Sequence, residues 1–200
     1  MKRFFDMESP FMRALSVTAD LILLNLLTIL CSLPVVTLGA SLAAMNDVVI
    51  RLVRGEEGYI IKGFFRAFAG NFKKGTLLGL LLLLCAALLV FDFYAASLYI
   101  PPLRVGIAAI GVIVLAVAFY AFALLARYEN TFSAMLKNAA TLSVARFPRT
   151  LGMVAFTAVF WLLCIRFLNV GAPLLFLFGL SLPCFVNGLL MKSVFDSLEN

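Results

Sequence analysis

Uncharged apolar runs that are long enough to cross a bilayer are the feature that most constrains this chain. The segments from Val105 to Ala126 and from Ala172 to Met191 contain no Asp, Glu, Lys or Arg. An α-helix rises 1.5 Å per residue, so about 20 such residues cross a hydrocarbon core of roughly 30 Å. A chain that carries these runs is expected to fold in lipid.

The composition of the whole chain leads to the same conclusion. Hydrophobic residues make up 64% of the 200 residues and charged residues 13%, whereas soluble domains have roughly 45 to 50% and about 25%. So few charges cannot cover so much apolar surface in water, and a water-soluble enzyme is excluded. The net charge of +6 is expected to set the orientation of membrane helices rather than to bind nucleic acid.

Six membrane spans are predicted, of which five are clear and one is disputed. The clear spans are residues 14–33, 76–100, 105–126, 151–170 and 172–191. The disputed span, residues 35–53, is mostly apolar but contains Asn46, Asp47 and Arg51. Hydropathy alone does not assign this segment.

The distribution of Lys and Arg favours a span at residues 35–53. With six spans, the basic groups at the N-terminus, at residues 54–74 and at residues 127–149 all lie on the cytoplasmic side, as expected for membrane proteins. We therefore predict an all-α, polytopic membrane helix bundle, formed by residues 1–200 as a single integral membrane domain with both termini cytoplasmic. The alternative is five spans with a re-entrant segment at residues 35–53.

Two cytoplasmic loops carry amphipathic patterns. In residues 59–74, Phe64, Phe68 and Phe72 recur every four residues and basic residues lie between them; residues 130–146 repeat the pattern more weakly. Such patterns are typical of helices that lie in the membrane interface. Lipid is one expected partner of these helices, and a docked protein is the other. The candidate docking residues are Arg54, Glu56, Glu57, Lys62, Arg66, Lys73 and Lys74.

A weak internal repeat relates the two halves of the chain. An offset of 73 residues aligns Arg54 with Arg127 and Gly79 with Gly152. Each copy then consists of a span, an amphipathic segment and a second span, which suggests an internal duplication.

Small residues predict one close contact between helices. Gly75 and Gly79 form a GxxxG motif at the start of the third span, and Gly39 and Ala40 begin a smooth face on the second. Such faces let helix backbones approach closely. We expect this packing within one molecule rather than between two copies.

Charged groups inside the spans suggest two sites. Asp92 and Arg166 lie at matching depths near the outer surface and are predicted to form a structural ion pair, with Arg104 as the competing partner of Asp92. Asn25, Asn46, Asp47 and Arg51 form the other candidate, an intramembrane polar cluster that could line a passage. Its alternative interpretation is an Asp47–Arg51 pair on one helix face, which only stabilises a hairpin.

No catalytic, cofactor-binding or metal site is predicted. The chain contains no His, and its four cysteines lie apart from one another in apolar runs. Neither a metal-ligand cluster nor a nucleophile with a base is visible, so we expect no enzymatic activity and no cofactor.

Several motifs resemble the YesL family of bacterial membrane proteins, a domain of unknown function. The similarity is carried by residues 33–41 (LPVVTLGAS), 52–59 (LVRGEEGY), 127–131 (RYENT) and 148–150 (PRT). It implies a polytopic protein of the bacterial cytoplasmic membrane that is associated with carbohydrate uptake. Family members are expected to have aromatic residues where this chain has Asn46 and Asp47, so any role of Asp47 is particular to this protein.

The expected function is that of an accessory or permease-like component associated with ABC-type carbohydrate import. The resemblance implies a transporter permease or ATPase as its partner, and nucleic acid is not expected. The alternative is a membrane sensor or signalling partner that moves no substrate. Neither the sugar nor the oligomeric state follows from the sequence.

Overall fold

The computed structural model describes residues 10–56, 58–128 and 131–199, and in these ranges the chain is helical apart from short turns. The helices are α1 (Pro10–Ser32), α2 (Leu38–Arg54), α3 (Ile60–Gly70), α4 (Phe72–Tyr99), α5 (Leu103–Arg127), α6 (Phe132–Ala145), α7 (Phe147–Arg166), α8 (Leu168–Phe178) and α9 (Ser181–Glu199). The predicted all-α class is confirmed.

Five helical segments of the described chain are long and apolar enough to span a membrane: 14–32, 35–54, 72–99, 103–127 and 147–166. The disputed second segment is among them. A sixth span is reached only if α8 and α9 count as one, because Gly171–Phe178 and Ser181–Lys192 are bent by 59° at the break between them. The chain is thus a multi-pass membrane protein with five candidate spans, or six with the bent pair.

The bend corrects the prediction of a continuous span over residues 172–191. Pro183 lies in the first turn of α9, where its missing N–H is tolerated, but its ring would obstruct a helix that continued from α8. The irregular segment therefore lies in the last predicted span. Residues 35–53, for which a re-entrant segment was the alternative, are helical from Leu38 onward, as the six-span prediction expects.

A tight turn at Pro34 and a 3-10 turn at Val35–Thr37 connect α1 to α2. The Thr37 hydroxyl lies 2.6 Å from the carbonyl oxygen of Cys31 and 2.8 Å from that of Pro34, and it donates its one proton to this pair of acceptors. The carbonyl of Cys31 is one of those that the end of α1 leaves without a helical partner.

The central helix of the bundle is α2, which packs against α1, α3, α4, α5 and α9. Half of its span is buried by other parts of the protein, although this span has the lowest mean hydropathy of the five. In contrast, α4 buries about a tenth of its most apolar stretch and exposes Leu77, Leu84 and Leu88. Most of the apolar surface of α4 therefore faces outward, where lipid is the expected solvent.

Glycines bring α2 and α4 into backbone contact. A β-carbon on Gly39 would lie 2.6 Å from Cα of Gly79, and one on Gly75 would lie 2.9 Å from Cα of Ala40. These separations are too short for any side chain, so the predicted close approach through Gly75 and Gly79 is confirmed, and it occurs within one molecule.

The element order repeats along the chain. The series α2, α3, α4 is a long helix, a short helix and a long helix, and the series α5, α6, α7 has the same order. Arg54 ends α2 and Arg127 ends α5, as the 73-residue offset predicts. Each of the two short helices covers fewer residues than the amphipathic segment predicted for it. The first, α3, ends at Gly70, and Phe72 already begins α4.

A buried polar network joins the members of the second series. Oη of Tyr120 in α5 lies 3.2 Å from Oγ1 of Thr150 in α7, and that hydroxyl lies 2.9 Å from the carbonyl oxygen of Ser143 in α6. Tyr120 is fully buried. Its hydroxyl therefore has a partner in the interior, as a buried phenol requires.

Candidate functional site: a cationic cleft

The end of the bundle where α2 stops and α4 starts contains a cleft of about 1080 Å³. We call it the cationic cleft. Within the described part of the chain, its charged lining residues are one carboxylate and five cations: Asp47, Arg51, Arg66, Lys73, Lys74 and Arg127. Apolar and aromatic groups complete the wall, among them Phe68, Phe72, Leu125 and Tyr128.

The last two turns of α2 supply Asp47 and Arg51. These residues are four apart and lie on one helix face, where Nη2 of Arg51 is 2.9 Å from Oδ2 of Asp47. Only 8% of Asp47 is exposed, so the carboxylate is largely removed from water and needs its cation. The pair fixes the direction of the Arg51 side chain toward the cleft.

The start of α4 supplies Lys73 and Lys74. The chain turns at Asn71 between α3 and α4, and α4 begins without a side-chain cap and without an acidic residue in its first turn. A helix N-terminus carries a partial positive charge and normally attracts anions. Two lysines in that turn add to the positive potential instead of offsetting it.

The end of α5 supplies Arg127. Its guanidinium carbon lies 5.5 Å from the centre of the Tyr128 ring, within the range of a cation–π contact. Arg127 was not among the predicted docking residues, and neither were Asn71 and Tyr128, which also line the cleft. The sequence pointed to Arg127 through its alignment with Arg54 in the internal repeat and its place in the basic segment 127–149.

A second cleft of about 1030 Å³ lies between α1, the end of α2 and α3. Arg51 and Arg66 line both clefts and therefore lie between them. The other charged residues of the second cleft are Asp20, Glu56 and Lys62, so its charges are mixed.

The predicted docking residues divide between these two clefts. Arg66, Lys73 and Lys74 line the cationic cleft, and Glu56 and Lys62 line the second. Arg54, the last residue of α2, is exposed, and its Nη1 lies 3.9 Å from Oε1 of Glu56. Glu57 lies outside the described residues.

The Gly-flanked motif after Arg54 ends a helix. Gly55 has φ 74°, a left-handed conformation that favours glycine, and its N–H donates to the carbonyl oxygen of Leu52. The N–H of Glu56 donates to the carbonyl oxygen of Arg51 at 3.0 Å. These two bonds form a Schellman motif. The helix end therefore explains the glycine at position 55 without any docked partner.

The predicted intramembrane polar cluster does not form as one group. Asn25 is fully buried and binds the break between α8 and α9: it donates to the carbonyl oxygen of Phe176 at 2.8 Å and accepts from the N–H groups of Leu180 and Ser181. Asn46 donates to the carbonyl oxygen of Leu42 in its own helix. Only Asp47 and Arg51 pair, as the alternative interpretation predicts.

The predicted ion pair between Asp92 and Arg166 is not formed. Both residues are exposed, and among the described residues the ion pairs within 4.0 Å are Asp47–Arg51 and Arg54–Glu56. Arg104, the competing partner, donates to the carbonyl oxygen of Ser97 at 2.8 Å. It therefore binds a carbonyl near the end of α4, where a cation is favoured by the helix dipole. Equal depth along two helices does not place their side chains together unless the helices also pack.

The described residues contain no group of three or more His, Cys, Asp or Glu side chains arranged to hold a metal ion. What the cationic cleft can do chemically is bind: it offers guanidinium and ammonium donors beside apolar walls. Such a surface suits an anionic group that carries an apolar body.

Comparisons with known proteins find similarity to one family model and to one curated protein, and neither description assigns an activity. The protein YteU of Bacillus subtilis (strain 168), described as uncharacterized, is 30% identical over 126 residues, which are 60% of this chain and 57% of the relative. The match thus spans little more than half of that relative's length. No solved structure matches the chain. Residues 21–93 match the family described as protein of unknown function DUF624, and α2, α3 and the start of α4, which build most of the cationic cleft, lie within that segment.

Proposed function

We propose that this protein is an accessory component of a membrane assembly for carbohydrate uptake, and that it docks a cytoplasmic partner instead of conducting the substrate or catalysing a reaction. The observation that carries the proposal is the exposed basic surface beside the second cleft, where Arg54 ends α2 and Lys62 of α3 lines the cleft. Complementary charge of this kind gives a partner its orientation and speeds its association.

The engagement of Asn25, Asn46 and Asp47, the predicted members of a passage, favours an accessory role over that of a permease. A passage needs polar groups that are free to bind a substrate. Asn25 binds three backbone groups, Asn46 binds its own helix and Asp47 pairs with Arg51. The backbone contact between α2 and α4 leaves no room for a passage along their interface.

The link to carbohydrate uptake is supported by the resemblance to YesL proteins, which implies an ABC transporter permease or ATPase as the partner. The cytoplasmic orientation of the cationic end is supported by the distribution of Lys and Arg. A sensor that responds to the state of the transporter would use the same surface. The two functions differ in whether loss of this protein lowers uptake.

Co-purification tests the proposal. The tagged protein is isolated from native membranes in mild detergent after chemical cross-linking, and the bound proteins are identified by mass spectrometry. We expect an ABC permease or its ATPase from the wild type and a loss of that partner from the charge-reversal variant Arg54→Glu/Lys62→Glu. Lys137→Glu, an exposed change on α6, is the matched control and should retain the partner.

Two further results decide between the interpretations. If a carbohydrate transporter subunit is recovered and deletion of this protein lowers uptake, the accessory role is supported. If uptake is unchanged while expression of the transporter responds, the sensor is correct. Recovery of the protein alone, with or without the cross-linker, would refute docking.

A further inference from the structure

We propose that the cationic cleft is a binding site for a phosphate group, carried either by the headgroup of an anionic phospholipid or by a soluble phosphate. This proposal is independent of partner docking. It rests on the charge of the residues that line this cleft, on the helices that supply them and on the shape of the cleft.

The charge of the lining favours a multiply charged anion. Among the lining residues that the structure describes, five cations and one carboxylate give a net charge of +4. Positive residues on the cytoplasmic side are expected for topology alone, but topology requires only their side of the membrane. Here cations from four helices, namely Arg51, Arg66, Lys73 and Arg127, converge on one concavity.

The mixture of donors suits phosphate. Guanidinium groups bind phosphate oxygens through two parallel hydrogen bonds, and lysines bind them as point charges. Lys73 and Lys74 lie in the first turn of α4, whose dipole adds to their potential. A phosphate offers more acceptor oxygens than a carboxylate does, so it can accept from guanidinium and ammonium donors at the same time.

The shape and the apolar wall leave room for more than a bare ion. The cleft measures about 1080 Å³ and is bordered by Phe68, Phe72 and Leu125. An ion surrounded by water needs no such wall. A phosphate ester with an apolar or sugar-like body would contact both parts of the lining.

Two binding measurements on the full-length protein in non-ionic detergent test the site. Native mass spectrometry measures retention of added phosphatidylglycerol against zwitterionic phosphatidylcholine, and equilibrium dialysis measures labelled inorganic phosphate. Preference for phosphatidylglycerol without binding of inorganic phosphate assigns a lipid headgroup. Binding of inorganic phosphate without that preference assigns a soluble phosphate, and either result supports the site.

The variants locate the binding. Lys73→Gln/Lys74→Gln and, separately, Arg127→Gln should weaken binding by about tenfold or more, the typical effect of losing a charge-assisted hydrogen bond. Lys73→Arg/Lys74→Arg should retain binding, which shows that a loss reflects charge and not misfolding. Lys137→Gln on α6 and Lys62→Gln in the second cleft should bind like the wild type.

Three results would overturn the proposal: neither probe binds, the cleft variants bind as well as Lys137→Gln does, or phosphatidylcholine is retained as well as phosphatidylglycerol when inorganic phosphate does not bind. None of them bears on partner docking, which is tested at Arg54 and Lys62. Conversely, a failure of co-purification with intact phosphate binding would refute docking alone.

Discussion

Gly39 of α2 and Gly79 of α4 meet backbone to backbone, so closely that a β-carbon on Gly39 would lie 2.6 Å from Cα of Gly79. Helix association in lipid depends on packing, because lipid tails are as apolar as the side chains they would replace. This contact therefore holds the central helix against α4, whose N-terminus forms one wall of the cationic cleft.

We expect Gly39→Ala to destabilise the protein by about 1 to 3 kcal/mol, because backbone atoms must separate to admit the methyl group. Unfolding in detergent, followed by circular dichroism, measures the change. Gly111→Ala on α5 is the matched control, since a β-carbon there meets nothing within 4 Å. It should be neutral or stabilising, because alanine favours helix more than glycine does. Equal effects of the two changes would contradict the close contact.

Replacement of Asn25 by Leu should destabilise the protein by roughly 1 to 3 kcal/mol, because three hydrogen bonds to backbone groups at the α8–α9 break are lost. Asn46→Leu loses one bond within its own helix and should cost less. Thermal unfolding of both variants measures the difference. If Asn46→Leu costs as much as Asn25→Leu, the side chain of Asn25 does not hold the break.

The pair of Asp47 and Arg51 should matter more than the pair of Arg54 and Glu56. Asp47 is 8% exposed, whereas the Glu56 side chain is 53% exposed. Arg51→Gln leaves a largely buried carboxylate without its cation and should cost about 1 to 3 kcal/mol. Arg54→Gln weakens an exposed pair and should cost about 0 to 1 kcal/mol. Chemical unfolding of both variants checks the order, and the reverse order would contradict it.

Tyr120 and Thr150 should show coupled effects. Their hydroxyl groups are 3.2 Å apart in a buried site, so Tyr120→Phe and Thr150→Val each remove the same bond. A double-mutant cycle should give a coupling energy of about 0.5 to 1.5 kcal/mol in the free energy of unfolding. Purely additive effects would show that this bond contributes nothing to stability.

The orientation of the bundle can be measured by labelling cysteines introduced into a cysteine-free background. Lys62→Cys and Lys137→Cys should resist a membrane-impermeant maleimide on intact cells, because their loops are predicted to be cytoplasmic. Leu103→Cys, at the start of α5, should react. Labelling of Lys62→Cys together with protection of Leu103→Cys would invert the topology.

The apolar runs and the distribution of Lys and Arg predicted most of the helices. They also indicated a helix over residues 35–53, despite Asn46, Asp47 and Arg51. They did not predict the bend between α8 and α9, because Ala172 to Met191 contains no charged residue and hydropathy is insensitive to the direction of a helix axis. Pro183 was the local signal for that bend.

The candidate sites likewise include contacts that the sequence predicts and contacts that it does not predict. Asp47 and Arg51 are four residues apart on one helix, so helical geometry alone predicts their pairing. The Asp92–Arg166 pair was wrong because it required contact between side chains on α4 and α7. Likewise, Asn25 is distant in sequence from Phe176 and Ser181, and no local pattern connects it to them.

By itself, the sequence determined three things: that this chain is a membrane protein, which residues form most of its helices, and which helix faces carry residues small enough for close packing. These follow from local apolarity, charge and residue size. Tertiary structure alone decided that α2 is the central helix and that Arg127 joins Arg66 and Lys73 around one cleft. The physical reason is that lipid and protein interior are both apolar. Hydropathy therefore cannot tell a helix that faces lipid from one that faces other helices, and only packing brings distant cations together.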